Sequence, residues 1–285
     1  MHEGLAWFET TREGRAWLAR LPRLVEMCAD KWSLTPGEPF AYAFASLAMP
    51  ATRVNGSTVV LKVQFPDRES EHEAAALALM DGDGAVRLLE YDEDRRALLL
   101  ERAEPGTPLK ELDLDPALDV FVGLLPRSWK PAGPPFRPLA DEAAWWVETI
   151  VDDFERAGRP FERPLLDAAL EAIETLGPSQ GEQVLVNQDI HADNVLRAQR
   201  EPWLLIDPKP LAGEREFGIA ATVRGRELGH SRQAVVHRLD RLSGELHLDR
   251  ERARGWALAQ TIAWAFDGDE VERQHVEVAR WLWEA

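Results

Sequence analysis

Asp189, Asn194 and Asp207 are the residues whose types and spacing could do chemistry. Asn194 follows Asp189 by five positions, and Asp207 comes thirteen later, closing the apolar run 203–206. An Asp-x-x-x-x-Asn loop followed by a strand that ends in Asp suits phosphoryl transfer. That reaction asks a protein for alignment and for neutralisation of phosphate charge more than for covalent work. Mg²⁺ takes oxygen ligands, typically one or two carboxylates with substrate phosphates. Asn194 offers an amide oxygen and Asp207 a carboxylate, so the two are the metal-ligand candidates, and ATP and Mg²⁺ are the expected cofactors. Asp189 is the candidate catalytic base, placed to orient an acceptor hydroxyl and take its proton. Upstream, Lys62 lies in Val59-Val60-Leu61-Lys62-Val63. A lysine set among apolar strand residues is of the type that reaches the α- and β-phosphates and pairs with a helix glutamate. Glu73 is the best partner, with Glu69 and Glu71 as rivals.

These residues need elements to position them. Residues 183–186 read as a strand entering the Asp189 loop and 194–198 as one leaving it. A turn follows at 199–202, and 203–206 reads as the return strand. Residues 11–29 read as a helix with Leu18, Leu21, Val25 and Cys28 on its apolar stripe, which Pro22 would interrupt or kink. Strands are expected across 40–65, with Asn55-Gly56 as the hairpin turn between 48–54 and 57–65. A helix is expected over 69–80, ending at Asp81-Gly82-Asp83-Gly84, followed by strands at 85–90 and 96–101. The remainder reads as mainly helical: 109–125, then a Pro-rich connector over 127–138, then 139–156 with Trp145, Trp146, Ile150 and Phe154 on its apolar side. Further helices are expected at 163–176, with Pro164 in its first turn and Gly177 past its end, and at 214–228, 231–242, 250–266 and 269–283. The tryptophans 145, 146, 256, 264, 281 and 283 read as packing residues.

Taken together, the motifs 186–196 (Val-Asn-Gln-Asp-Ile-His-Ala-Asp-Asn-Val-Leu) and 203–214 (Trp-Leu-Leu-Ile-Asp-Pro-Lys-Pro-Leu-Ala-Gly-Glu) resemble the aminoglycoside phosphotransferase family. The resemblance is closest to its streptomycin phosphotransferase and hydroxyurea-resistance kinase branch. Segments 59–63 and 97–109 agree in the same order. The chain departs from the family where many members carry His-Gly and Phe-Asp; here stand Asn187-Gln188 and Phe217-Gly218. The resemblance implies an α+β, bilobal protein-kinase-like fold with an antiparallel-sheet N-lobe and a mainly helical C-lobe. It places a nucleotide-binding N-lobe over 1–102, with an N-terminal helix and a five-stranded-type sheet, and a C-lobe over 103–285 with the catalytic loop and acceptor-binding region. It also implies that the segment after the last N-lobe strand binds adenine through backbone groups, with Glu101 and Ala103 as the cofactor-binding residues beside Lys62 and Glu73. The implied activity is ATP-dependent O-phosphorylation of an aminoglycoside-like, streptomycin-type acceptor. The alternatives are a kinase of another small alcohol or amino alcohol, or an inactive nucleotide-binding relative. Lys209, two positions after Asp207, stays open between a phosphate or substrate contact and a surface residue.

Composition narrows the classes. The 285-residue chain carries 45% hydrophobic and 29% charged residues, ordinary for a globular protein with a real core. A net charge of −17 argues against nucleic-acid binding and is compatible with a cationic small-molecule acceptor. Asp152, Asp153, Glu155, Asp267, Asp269 and Glu270 are the acidic candidates for that contact, although solvated helix faces explain most such residues. The single cysteine, Cys28, fits a reducing cytoplasm and reads as a core residue. The N-terminus lacks the basic flank and apolar run of a signal peptide, and no stretch approaches a membrane span. The chain has no Gly-x-Gly-x-x-Gly and no Gly-Lys-Ser/Thr loop. A monomer or weak dimer is expected.

Overall fold

Period-two alternation in one strand separates the two faces of an N-terminal sheet and thereby aims Lys62. The structure, a computed structural model, describes residues 3–41 and 45–285. Five strands, β1 (Leu34–Pro36), β2 (Ser46–Arg53), β3 (Thr58–Gln64), β4 (Leu88–Asp92) and β5 (Ala97–Glu101), form an antiparallel sheet in the order β1-β2-β3-β5-β4. Val59, Leu61 and Val63 of β3 pack outward with helix α1 (Arg12–Trp32) in one core cluster. Val60 faces the other core, and successive side chains of a strand point to opposite faces, so Lys62 shares the inner face with Val60. The β2–β3 hairpin turns through the three residues Val54-Asn55-Gly56, where the Gly56 N–H donates to Arg53 O at 2.9 Å and Gly56 takes the left-handed conformation (φ 83°) that closes such a loop. Of the strand expectation over 40–65, residues 42–44 lie outside the described residues.

Helix α1 runs through Pro22 unbroken. Thr11 caps its start by accepting from the Gly14 N–H, and Trp17, Leu21, Leu24, Cys28 and Trp32 bury one side of it. Packing of that stripe offsets the one backbone bond that proline removes. Helix α2 is shorter than its pattern suggests and spans Glu73–Met80. Asp67 accepts from both the N–H and the hydroxyl of Ser70, at 2.7 Å each, which holds the preceding residues in a turn. Glu69 is thereby kept off the helix. The expected strand 85–90 is displaced to β4, because Gly84 to Val86 bond across to the C-terminal part instead. There the Val86 N–H donates to Leu205 O at 3.0 Å and the Leu205 N–H to Gly84 O at 2.9 Å.

The C-terminal part is mainly helical, as expected: α3 (Leu114–Ser128), α4 (Leu139–Arg156), α5 (Arg163–Leu176), α6 (Ala220–Arg224), α7 (Arg232–Glu245), α8 (Arg250–Ala263) and α9 (Arg273–Trp283). The bounds of α4 and α5 coincide with their apolar periodicity. Trp145 does not join that stripe. It is 40% exposed and lies under the Arg68 guanidinium, while Trp146, Ile150 and Phe154 are buried. The single helix expected over 214–228 is broken into a 3₁₀ turn (Arg215–Ile219), α6 and a loop. Phe217 is fully buried between Trp146 and Trp256. A Cβ at Gly218 would stand 2.7 Å from the Trp129 indole nitrogen, so this chain has room only for glycine there. The helix expected from 269 begins at Arg273, after a two-residue pair between β10 (Phe266–Asp267) and β11 (Glu270–Val271). Among the described residues no helix is long and apolar enough to cross a membrane.

Candidate active site

Two short ribbons, laid side by side, assemble the centre of the site. Strand β6 (Val184–Asn187) enters the Asp189 loop, but its partner is β9 (Pro210–Gly213), not the strand that leaves the loop. The hairpin β7 (Val195–Arg197) with β8 (Trp203–Leu205) is inserted between them. Backbone bonds then lock the motif residues to one another. The Ile206 N–H donates to Asn194 O at 2.9 Å, which brings Asn194 beside the residue preceding Asp207. The Gln188 N–H donates to Lys209 O at 2.9 Å. Asn187 accepts on one side-chain oxygen from the N–H groups of Asp189 (2.9 Å) and Lys209 (3.0 Å). That departure from the family pattern thus ties the two motifs together. Asp207 itself has φ 51°, a left-handed turn that redirects the chain after β8.

Residues far from the motif brace the loop. The Thr222 hydroxyl donates to Ile190 O at 2.7 Å, the Gln260 amide to Gln188 O at 2.8 Å, and the Ala192 N–H to Glu227 Oε1 at 2.8 Å. Asn194 donates through Nδ2 to Asp189 O at 2.9 Å. Sequence reading missed Glu227, Thr222 and Gln260. They lie more than thirty positions from the loop residues they bond, with no local spacing that connects them.

The N-terminal sheet supplies the facing wall. Lys62 Nζ lies 2.8 and 2.7 Å from the two Glu73 carboxylate oxygens and 2.6 Å from Asp207 Oδ1. Gln64 Nε2 also donates to Glu73, at 2.6 Å. Lys62 and Glu73 are buried, and the Asp207 side chain is part-exposed. Burial works against the Lys62 charge, but the Asp207 and Glu73 carboxylates outweigh it and keep the ammonium above the ordinary lysine range. For Asp207 burial pulls the other way and is again overcome, chiefly by Lys62, so its carboxyl sits below its usual range. Asp189 follows the same logic. Burial pushes it up, while Lys209, then His191 and Arg224, bring it below the ordinary carboxylate value.

On the far side of Asp189 opens a cavity of about 320 Å³, with Arg224, Arg226, Trp264, Glu272 and His275 in its wall. None of the six acidic candidates from the sequence lines it; Asp153 and Glu155, for example, pair with Arg156 and Arg159 at the C-terminal end of α4. Trp264, read as a packing residue, instead faces the site, with Lys209 Nζ 5.2 Å and Arg224 Cζ 4.6 Å from its ring centre. Burial lowers the His275 imidazole to about 4, so it is neutral at physiological pH. At the end of β5 the Glu101 N–H donates to Arg87 O at 2.9 Å, and its carboxylate accepts from Arg200 at 2.8 and 2.9 Å. Ala103 lies two residues on, partly buried, where the chain passes toward the helical part.

Residues 31–271 match the family model described as aminoglycoside/hydroxyurea antibiotic resistance kinase. The streptomycin 6-kinase of Streptomyces griseus is 38% identical over 257 residues, covering 88% of this chain and 83% of that protein. The hydroxyurea phosphotransferase of Kitasatospora aureofaciens is 35% identical over 311 residues, covering 96% and 90%. Among solved structures, a choline kinase from Streptococcus pneumoniae superposes with a TM-score of 0.66 at 13% identity, covering 92% of this chain and all of that one (100%). That likeness shows the bilobal kinase fold.

Proposed function

The chain belongs to the aminoglycoside/hydroxyurea antibiotic resistance kinase family, and on that premise we propose that it transfers the γ-phosphoryl group of ATP to a hydroxyl of a streptomycin-type acceptor. The reading rests above all on one observation: the Lys62–Glu73 pair of the sheet meets Asp207, while Asp189 faces the cavity on the other side. In this reading residues 1–102 serve as the nucleotide lobe and 103–285 as the helical lobe that takes the acceptor.

Lys62 meets the α- and β-phosphates, and Glu73 sets its direction. The purine lies against the backbone at Ala103, since the Glu101 N–H is already engaged by Arg87. Asp207 and Asn194 form a hard-oxygen donor set, and Asp207 Oδ2 is not engaged by Lys62, so the residues fit a Mg²⁺ held jointly with phosphate oxygens. Bound there, the ion would neutralise charge on the phosphates. Asp189, kept ionised by its cationic neighbours, accepts the acceptor hydroxyl's proton as the oxygen attacks phosphorus and ADP departs with the electrons of the broken bond.

Asp189→Asn preserves the shape of the loop and removes the base. Its expected outcome is Mg-ATP affinity within about threefold of wild type and turnover lower by about 10²–10⁴; an Asp189→Asn enzyme with wild-type turnover sinks the assignment. The acceptor is found by measuring ATP consumption against streptomycin, other aminoglycosides, hydroxyurea and simple amino alcohols. The arginines 224 and 226 in the cavity wall favour one second reading, a small uncharged alcohol acceptor, because cations there oppose a polycation.

A further inference from the structure

Lys209 is a part-buried ammonium whose only role above is to help keep Asp189 ionised. Its Nζ lies 3.1 Å from Asp189 Oδ2 and 3.0 Å from Glu69 Oε2, and its side chain is 17% exposed. Its backbone N–H donates to Asn187 Oδ1 and its carbonyl accepts from the Gln188 N–H, which clamps it to the residues preceding Asp189. A surface lysine needs no such fixing. Any hydroxyl that gives its proton to Asp189 must come within hydrogen-bond reach of that carboxylate, and the phosphorus it attacks lies one bond further. An ammonium 3.1 Å from the same carboxylate is therefore within reach of the oxygens of the group in transfer. Asp207 acts on the same ammonium from the nucleotide side.

We propose that Lys209 is a further catalytic residue, which leaves its resting contact with Glu69 to meet the phosphoryl group as it passes from ATP to the acceptor oxygen. The step stays balanced: the bond from phosphorus to the β,γ-bridging oxygen breaks toward ADP, the acceptor oxygen bonds to phosphorus, and the proton goes to Asp189. Lys209 keeps its own protons throughout and stabilises the charge on the equatorial oxygens. Glu69, held outside α2 by the Asp67–Ser70 turn, stations the ammonium between turnovers. The proposal rests on the kinase reading, and its test separates the two.

The test compares binding of Mg-ATP with binding of Mg-ADP plus aluminium fluoride, a mimic of the phosphoryl group in flight, by calorimetry on wild type and Lys209→Met. Interactions realised only in the transition state weaken the mimic selectively. The expected result is a mimic affinity lower by about 10²-fold, with Mg-ATP affinity within about threefold, and a matching fall in kcat at little-changed KM for ATP. Equal changes in both affinities, or no change in either, overturn the proposal and leave Lys209 a structural counter-charge. If Lys209→Met does not fold, Lys209→Cys treated with bromoethylamine takes its place. Cys28, the chain's other thiol in that variant, is fully buried, so the new one is alkylated selectively. Regained affinity for the mimic after alkylation supports the proposal, and affinity no better than before alkylation refutes it. A wild-type protein that binds neither Mg-ATP nor the mimic defeats the kinase reading itself, whatever Lys209 does.

Discussion

Replacing Lys62 with methionine removes the cation that bonds to Glu73 while filling most of the space of its aliphatic stem. Glu73 is 0% exposed, so its carboxylate cannot turn to water. Burial already pushes that carboxyl from 4.5 up to about 7, against the pull of Lys62. Without the ammonium the upward push loses its main opponent, the Gln64 hydrogen bond being the one that remains, and the variant keeps its proton to higher pH. Loss of one partner of a buried pair costs about 3 kcal/mol, softened here because Glu73 can become neutral. The sign follows from linkage. The Lys62 pKa is raised by folding, so the stability it contributes is fully present at pH 7–8.5 in wild type and absent in the variant. The Glu73 pKa is raised too, so a folded-state proton must be held as pH climbs. Wild type releases it near pH 7, but the variant does not. From pH 7 to 8.5 the gap between the two therefore widens by about 1.4 kcal/mol per pH unit. For a chain of 285 residues that is about 2 °C in Tm per pH unit. The assay is thermal unfolding by circular dichroism in EDTA, without nucleotide. The double variant Lys62→Met/Glu73→Gln is expected to lose the slope and to be more stable than Lys62→Met alone. A gap that stays constant or narrows between pH 7 and 8.5 refutes the reasoning.

Two other perturbations reach the site from a distance. Arg238 is fully buried and donates to the carbonyls of Val223, Leu228 and Gly229, so it clamps the loop that carries Glu227 and follows Arg224. Arg238→Met should lower stability by about 3 kcal/mol and raise KM for the acceptor; denaturant unfolding with unchanged midpoint contradicts this. Glu227→Ala deprives the Ala192 N–H of its partner and removes a carboxylate 3.7 Å from His191. Its kcat should fall about tenfold or more, at a stability cost of about 1–3 kcal/mol, with ATP affinity retained; steady-state kinetics beside a Mg-ATP titration test it.

Much of this fold is written locally. Helices α4 and α5 fall where their 3.6-residue apolar spacing puts them, because one face of each must be buried along its whole length. The β2–β3 hairpin follows from Asn55-Gly56, since few residues accept the left-handed turn. The misses have a common cause. Gly84 to Val86 look like strand, but their backbone partners sit at Leu205, more than a hundred residues away. Strand β6 looks like half of a hairpin with the strand that leaves the loop, yet its ladder is completed by β9 beyond an inserted hairpin.

The site divides along the same line. By itself the sequence determined the Asp189–Asn194 spacing, the position of Asp207 at the end of a strand, and the alternation that turns Lys62 to the inner face, opposite Leu61 and Val63. These are properties of short backbone stretches, where periodicity and turn chemistry act within a few residues. Only the tertiary structure decided that Glu73, not Glu69 or Glu71, bonds to Lys62, that Glu69 instead meets Lys209, that Trp264 and Arg224 line the cavity with Asp189, and that Glu227 holds the Ala192 N–H. Those contacts join residues separated by up to 140 positions, as Glu69 and Lys209 are. They exist because packing one shared core brings the sheet and the helices together, and that proximity leaves no trace in local spacing.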